Sequence, residues 1–221
     1  MYIKSMFKLL LSLAFLSVDS YILNNPINIY KKIYENNVIK VYEPKNNDRK
    51  NMTALVFYSG ANALIPSDVY SDFINTLNNY NYTVAAVTND NQATLQLLYD
   101  IKNEYKELIP ITHSSGFVSA LQTINIASEH NISRAIFLDP VDNSKFINKD
   151  FLSLFKKSDY VLNNLKNILV LNAKKSYEWS TFPNFSIPFI PAFALDLKEL
   201  EKSNPQLNIE KLEAKEHGHS D

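Results

Sequence analysis

Short apolar segments that alternate with helix-like segments limit the folds open to this chain more than any other feature. The apolar segments are strand-like in length and composition and lie at 54–58, 83–87, 109–113, 134–138 and 168–172. Near-continuous apolar runs of this kind are typical of strands buried on both faces. Buried strands separated by helices predict an α/β fold with a mostly parallel central sheet and helices on both of its faces.

Helix signals fill the gaps between these strands. Ser67 and Asp68 precede apolar residues at helical spacing, and Asn91 is predicted to cap a helix over 93–105. A further helix is predicted over 115–130. The alternation therefore runs strand, helix, strand, helix through the middle of the chain, without an internal repeat.

The two ends of the predicted sheet carry weaker signals. A strand over 38–42 precedes the strand over 54–58 across a polar turn, and this arrangement predicts a hairpin between them. Near the other end of the chain, 209–216 alternates like a strand, and we expect it to deliver the last loop of the sheet.

The composition supports one globular domain with a sizeable core. The chain has 221 residues, of which 46% are hydrophobic and 20% charged. Its net charge is −1 and its basic residues are scattered, so we do not expect nucleic acid as a partner. The absence of cysteine excludes disulfides and a cysteine nucleophile.

The first twenty residues have the layout of a signal peptide. Lys4 and Lys8 precede an apolar run over 9–18 that is too short to span a bilayer, and small residues near its end allow cleavage before Tyr21. We predict a signal peptide over 1–20, leading to the secretory pathway or a plastid, and a single domain over 21–221. An uncleaved interfacial anchor and a buried first helix are the alternatives.

Glycine is scarce, with only three in the chain, and each lies in a short motif next to polar residues. Gly60 ends an apolar strand, Gly116 follows two serines, and Gly218 lies between two histidines. Glycine is required where the backbone adopts a positive φ or where another backbone approaches closely. We therefore expect three constrained loops at these positions.

Ser114 is the candidate nucleophile, because it lies where a predicted strand turns sharply into a helix. A serine hydroxyl needs a base, and donors for the oxyanion that forms when it attacks a carbonyl. The backbone N–H groups of Ser115 and Ala61 are the predicted oxyanion donors. A simple helix-capping role is the structural alternative for Ser114.

The remaining members of a catalytic triad are predicted further along the chain. Asp139 ends the strand over 134–138, and the following proline is expected to hold it extended. His219 lies in the last loop and is the predicted base. Asp142 and His217 are the respective alternatives. The order Ser, Asp, His is that of α/β-hydrolases.

Four short segments read FYSGAN at 57–62, HSSG at 113–116, FLDPVD at 137–142 and GHSD at 218–221. Together they resemble chlorophyllase, and the early aspartate is also similar to that of platelet-activating-factor acetylhydrolases. The resemblance implies an α/β-hydrolase fold and hydrolysis of the phytyl ester of chlorophyll to chlorophyllide and phytol. It also implies that Ser114, Asp139 and His219 form the triad.

Two departures from the family pattern stand out. Thr112 occupies the first position of the nucleophile motif, where the family has glycine, and Phe117 follows Gly116. The chain also ends two residues after His219, without the helix that usually packs behind the histidine loop.

An aromatic segment over 177–193 is the predicted substrate-binding loop, since three prolines disfavour a regular helix there. Apolar pockets with few polar groups suit an isoprenoid chain or a porphyrin face. The candidate substrate-binding residues are Trp179, Phe182, Phe185 and Phe189, with core packing as the alternative. The expected ligand is a small lipophilic ester similar to chlorophyll, reached by peripheral membrane association.

Histidines elsewhere suggest no further chemistry. His113 and His130 are predicted to be structural, and the pattern of His217, His219 and Asp221 lacks the further ligands that a catalytic zinc requires. We expect no metal and no cofactor. A carboxylesterase or lipase acting on other lipophilic esters is the alternative enzyme, and a non-catalytic pigment- or lipid-binding protein of the same fold is the alternative outside enzymes.

Overall fold

The computed structural model describes residues 27–34, 37–45, 48–126, 132–141, 164–173, 180–182, 185–187 and 197–215. Its strands are β1 (Ile27–Tyr34), β2 (Asn37–Pro44), β3 (Thr53–Tyr58), β4 (Thr83–Ala86), β5 (Glu107–His113), β6 (Arg134–Leu138), β7 (Asn167–Ala173), β8 (Ser180–Phe182), β9 (Phe185–Ile187) and β10 (Asn208–Ala214). Its helices are α1 (Gly60–Ala63), α2 (Ser71–Asn79), α3 (Asn91–Ile101), α4 (Gly116–Ile126) and α5 (Leu197–Ser203).

One sheet of eight strands organises the fold, in the order β1-β2-β4-β3-β5-β6-β7-β10. The six strands from β4 to β10 in this order pair with one another in parallel, whereas β2 pairs antiparallel with both β1 and β4. Strands β8 and β9 form a separate antiparallel pair. The predicted mostly parallel α/β sheet is therefore confirmed.

Each face of the sheet is covered by helices, as the sequence predicts. Alternate residues along a strand point to opposite faces, so Val56 and Phe137 lie in one core while Leu55 and Ile136 lie in the other. Helices α3, α4 and α5 contribute to the first core, and α2 contributes Ile74 and Leu77 to the second. Burial on both faces explains why these strands are almost continuously apolar.

The predicted hairpin between strands 38–42 and 54–58 is wrong. Strand β2 pairs with β1 on one side and with β4 on the other, so β4 separates it from β3. Strand β1 escaped prediction because its outward-facing Ile29 and Ile33 are exposed, while Tyr30 and Tyr34 pack against the core on the other face. Apolar residues thus line both faces, which removes the expected alternation.

The helix bounds also differ from those predicted. The side chain that caps α3 is Asp90 rather than Asn91, since its carboxylate accepts hydrogen bonds from the N–H groups of Gln92 and Ala93 at 2.8 and 3.1 Å. This helix ends at Ile101, and a 3₁₀ turn precedes α2. Aspartate suits the cap because its oxygens satisfy the first free N–H groups of the helix.

A buried carboxylate holds the sheet together at the edge where the parallel strands begin. Glu43, at the end of β2, is 3% exposed and forms an ion pair with Arg49 Nε at 2.9 Å. It also accepts hydrogen bonds from the hydroxyls of Tyr30 and Tyr105. Burial, followed by the charge of Glu43, raises the pKa of Tyr30 to about 12, so this hydroxyl stays protonated and donates. Arg49 extends the cluster outward to Glu104.

We expect Glu43→Gln to lower the free energy of unfolding by about 2 kcal/mol, because it leaves the Arg49 charge without its buried partner. Urea unfolding measures this loss. Glu104→Gln is the control, because that carboxylate is one-third exposed and its loss should cost less than about 1 kcal/mol. Equal losses in the two variants would contradict a central role for Glu43.

Candidate active site

The loops that follow β3, β5 and β6 meet at the edge where the parallel strands end. These strands are close neighbours in the sheet, in the order β3-β5-β6. The carboxyl ends of parallel strands are the usual location of ligand sites in open α/β sheets. The candidate residues Ala61, Ser114 and Asp139 belong to these three loops, one to each.

Ser114 lies between β5 and α4 in a strained backbone conformation, with a φ of 53°. A positive φ is uncommon for a residue with a side chain and is often found at functional sites. Its N–H donates to the carbonyl of Leu138 at 3.0 Å, and its own carbonyl accepts from the N–H of Val141 at 3.3 Å. These bonds join the β5 and β6 turns, and the Ser114 side chain is only half-buried.

Gly116 allows the first turn of α4 to lie against the end of β3. A Cβ added at Gly116 would lie 2.4 Å from the carbonyl oxygens of both Tyr58 and Ser59. Among the described residues no glycine has a positive φ, so close approach, not a special dihedral angle, is what position 116 requires. The positive φ angles occur instead at non-glycine residues, including Ser114 and Asp139.

The loop after β3 forms the short helix α1. Ala61 lies in its first turn, with a φ of 51°, and is exposed. The N–H of Ala63 donates to the carbonyl of Ser59 at 2.9 Å, and the Ser59 hydroxyl donates to the carbonyl of Ile65 at 2.6 Å. The N–H groups in the first turn of a helix have no acceptor within the helix. Gly116 lies against the carbonyl group of Ser59, so the loop that carries Ala61 packs beside the turn that carries Ser114 and Ser115.

Asp139 is 4% exposed and lies between the ends of β6 and β7. Its N–H donates to the carbonyl of Leu171 at 2.7 Å, and its Oδ1 accepts from the N–H of Ala173 at 3.1 Å. The prediction that the following proline holds Asp139 extended is wrong, because its φ is 45°. The chain turns sharply here, which lets both the N–H and the carboxylate of Asp139 bind to β7.

Thr112 occupies the position where the family motif has glycine. It is fully buried in β5, and its hydroxyl has no hydrogen-bond partner in the part of the chain that the structure describes. The strand pairs there with Tyr58 of β3 and Phe137 of β6. The fold accommodates the β-branched side chain, although its buried hydroxyl carries a desolvation cost.

Tyr70 is a residue of this region that sequence reasoning missed. Its hydroxyl lies 2.9 Å from Nδ1 of His113 and accepts a hydrogen bond from the N–H of Gly60 at 3.0 Å. It therefore contacts the residues that directly precede Ser114 and Ala61. A local sequence pattern cannot predict this contact, because Tyr70 and His113 are 43 residues apart in the chain.

Several predicted site residues lie outside the described residues. They are Trp179, Phe189, His217 and His219, together with the alternative acid Asp142. Phe182 and Phe185 do lie within the description, directly opposite each other in the β8–β9 pair. The aromatic segment, predicted as a loop, thus contains a small antiparallel sheet.

A cavity of about 210 Å³ adjoins the α1 loop. Its walls include Lys40, Phe57, Ser59, Leu64 and Thr88, and none of its lining residues belongs to the β5 or β6 turns.

In the described part of the chain, no helix is long and apolar enough to cross a membrane.

We expect Gly116→Ala to lower the free energy of unfolding by about 3 kcal/mol, because the new methyl group would overlap two backbone carbonyl oxygens. Thermal unfolding measures the effect. Gly60→Ala is the matched control. Its Cβ would meet side-chain atoms of Ile65 and Tyr70 at 3.0 and 3.1 Å, and because side chains can shift, we expect a smaller loss of stability. A Gly116→Ala protein as stable as the wild type would contradict the close approach.

Comparisons with known proteins show the fold. No protein-family model and no curated protein match this chain. Among solved structures, esterase B from Lactobacillus rhamnosis is similar with a TM-score of 0.60 and 10% identity, covering 95% of this chain and 81% of the esterase. An esterase structure from Rhizomucor miehei has a TM-score of 0.57 and 10% identity, covering 88% of this chain and 76% of the esterase. Est1E from Butyrivibrio proteoclasticus has a TM-score of 0.53 and 12% identity, covering 87% of this chain and 90% of Est1E. The chain therefore has the α/β-hydrolase fold.

Proposed function

We propose that the protein is a serine ester hydrolase that uses Ser114, Asp139 and His219 as a catalytic triad. The observation that carries the proposal is the strained backbone of Ser114 at the tip of the β5–α4 turn, directly beside the turn that holds the buried Asp139. Strain of this kind places a serine hydroxyl at the sheet edge in hydrolases of this fold. The esterase structures that share the fold agree with the proposal.

The first half of the reaction transfers the acyl group to the enzyme. The Ser114 Oγ attacks the ester carbonyl carbon while its proton passes to His219, and a tetrahedral oxyanion forms. When the intermediate collapses, the bond between the carbonyl carbon and the alcohol oxygen breaks. The alcohol leaves with the proton from His219, and Ser114 remains acylated.

The second half returns the enzyme to its starting state. Water gives a proton to His219 and attacks the acyl carbon, and a second oxyanion forms and collapses. The Ser114 oxygen leaves and recovers the proton, and the carboxylic acid is released. In this scheme Asp139 fixes the tautomer of the histidine and stabilises its positive charge.

Backbone N–H groups of Ala61 and Ser115 are the proposed oxyanion donors. Ala61 lies in the first turn of α1 and Ser115 in the turn that directly precedes α4, so both N–H groups belong to loops at the carboxyl edge of the sheet. The N–H of the neighbouring Gly60 already donates to Tyr70, which favours Ala61 as the donor from this loop. Loss of one such donor typically costs about 3 kcal/mol of transition-state stabilisation.

For the substrate we propose the phytyl ester of chlorophyll, on the strength of the four motifs that resemble chlorophyllase. The aromatic segment that includes Trp179, Phe182, Phe185 and Phe189 is the proposed contact for the phytyl chain or the porphyrin. Peripheral association with a membrane is the proposed route to such a substrate, and a signal peptide over 1–20 is proposed to bring the protein there.

A carboxylesterase of broader substrate range is the second candidate. It is favoured by the many esterases among the structural neighbours, one of which was obtained with a C4–C4 tributyrin phosphonate. Such an enzyme uses the same proposed triad, and the two candidates differ only in the ester that they cleave.

We expect the purified chain from Tyr21 onward to react with a fluorophosphonate probe, and Ser114→Ala to abolish both labelling and hydrolysis of p-nitrophenyl butyrate. The reason is that only an activated serine attacks the probe. Ser133→Ala, at the opposite edge of the sheet, is the control and should label like the wild type. If Ser114→Ala still labels, the nucleophile is another residue; if the wild type is not labelled, a non-catalytic binding protein is favoured.

Incubation with chlorophyll a separates the two substrates. A chlorophyllase is expected to release chlorophyllide, measured by chromatography, and Ser114→Ala is expected to release none. Cleavage of p-nitrophenyl butyrate without chlorophyllide would overturn the chlorophyll proposal and leave the carboxylesterase in its place.

A further inference from the structure

One tyrosine hydroxyl connects the two loops that carry the proposed oxyanion donors. Tyr70 ends the 3₁₀ turn Ser67–Tyr70, and its hydroxyl accepts a hydrogen bond from the N–H of Gly60 at 3.0 Å. The same hydroxyl lies 2.9 Å from Nδ1 of His113. Gly60 directly precedes Ala61, and His113 lies two residues before Ser115, so both donor loops are tied to one oxygen atom.

The Tyr70 hydroxyl can make both contacts at once. A phenolic hydroxyl carries one proton and accepts through its lone pairs. It accepts from the Gly60 N–H, and the direction of its bond with Nδ1 of His113 is set by the tautomer of the imidazole. Burial raises the pKa of Tyr70, with the Gly60 N–H opposing this, so the hydroxyl stays protonated at neutral pH.

Packing fixes the ring as firmly as the hydrogen bonds fix its hydroxyl. The Tyr70 ring lies edge-on to Phe57 of β3, with centroids 4.9 Å apart, and edge-on to His113, at 5.5 Å. Edge-to-face contacts of this kind are favourable and direction-dependent. A Cβ at position 60 would come within 3.1 Å of the Tyr70 hydroxyl, so glycine there keeps the loop close to the tyrosine.

We propose that Tyr70 is a positioning residue that sets the distance between the Ala61 and Ser115 N–H groups through its bonds to Gly60 and His113. The inference rests on the proposed ester hydrolase function, and it adds a residue from outside the four family-like motifs. Tyr70 acts through the Gly60 backbone and the His113 side chain and does not touch the reacting atoms.

The test is Tyr70→Phe, which keeps the ring and removes both hydrogen bonds. We expect kcat for p-nitrophenyl butyrate to fall roughly tenfold with KM nearly unchanged, because a loosened oxyanion hole weakens binding of the transition state more than of the substrate. The inhibition constant of a trifluoromethyl ketone, whose adduct with serine carries an oxyanion, should rise by a similar factor. Tyr82→Phe is the control, since Tyr82 is also half-buried and lies at the opposite sheet edge.

A double variant distinguishes positioning from general loosening. His113→Phe removes the partner of the Tyr70 hydroxyl while keeping a ring, and Tyr70→Phe/His113→Phe should lose little more activity than the worse single variant. Additive losses, a change in KM alone, or an unchanged kcat and ketone affinity in Tyr70→Phe would overturn the inference. If the wild type neither labels at Ser114 nor hydrolyses the ester, the hydrolase proposal itself fails, which is a different result from an active wild type with a neutral Tyr70→Phe.

Discussion

The close approach of α4 to the end of β3 is the constraint on which the rest of this edge depends. Gly116 brings the first turn of α4 against the carbonyl groups of Tyr58 and Ser59, at a distance that no Cβ permits. Because the helix starts there, the chain must reverse sharply between β5 and α4, and Ser114 takes the strained position in that reversal. The same contact brings the α1 loop next to the serine.

The strain at this edge falls on residues that have side chains. Ala61, Ala63, Ser114 and Asp139 all have φ between 45° and 62°, and each such residue costs on the order of 1–3 kcal/mol. The two buried cores on either side of the sheet offset this cost. Backbone hydrogen bonds from Ser114 to Leu138 and from Asp139 to Leu171 then lock the strained turns to neighbouring strands.

Much of the fold could be predicted from the sequence because its signals are local. Strand β6 has the predicted bounds, and β5 and β7 differ from them by one or two residues, since a strand buried on both faces needs an apolar run. The prediction of a β2–β3 hairpin was wrong because it assumed that strands adjacent in the sequence pair with each other. In the structure β4, which comes later in the sequence, lies between them. That insertion depends on tertiary packing, which a local pattern does not report.

Only part of the candidate site could be predicted from the sequence. Ser114, Asp139 and Ala61 could be, because each lies in a motif that directly follows a recognisable strand. Tyr70 could not be predicted, because its role comes from contacts with Gly60 and His113, and His113 is 43 residues away in the chain. The φ of Asp139 was likewise unpredictable, because the proline after it favours an extended residue and the bonds to β7 outweigh that preference.

The Glu43 cluster lies at the edge where the parallel strands begin, far along the strands from the turns of Ser114 and Asp139. Tyr30, Arg49 and Tyr105 join Glu43 to β1, to the start of β3 and to the approach to β5, respectively. The anchoring of the antiparallel strands and the proposed chemistry therefore use opposite ends of the same sheet. Substitutions in the loops at the carboxyl edge can therefore alter the proposed site while the anchor at the other edge stays intact.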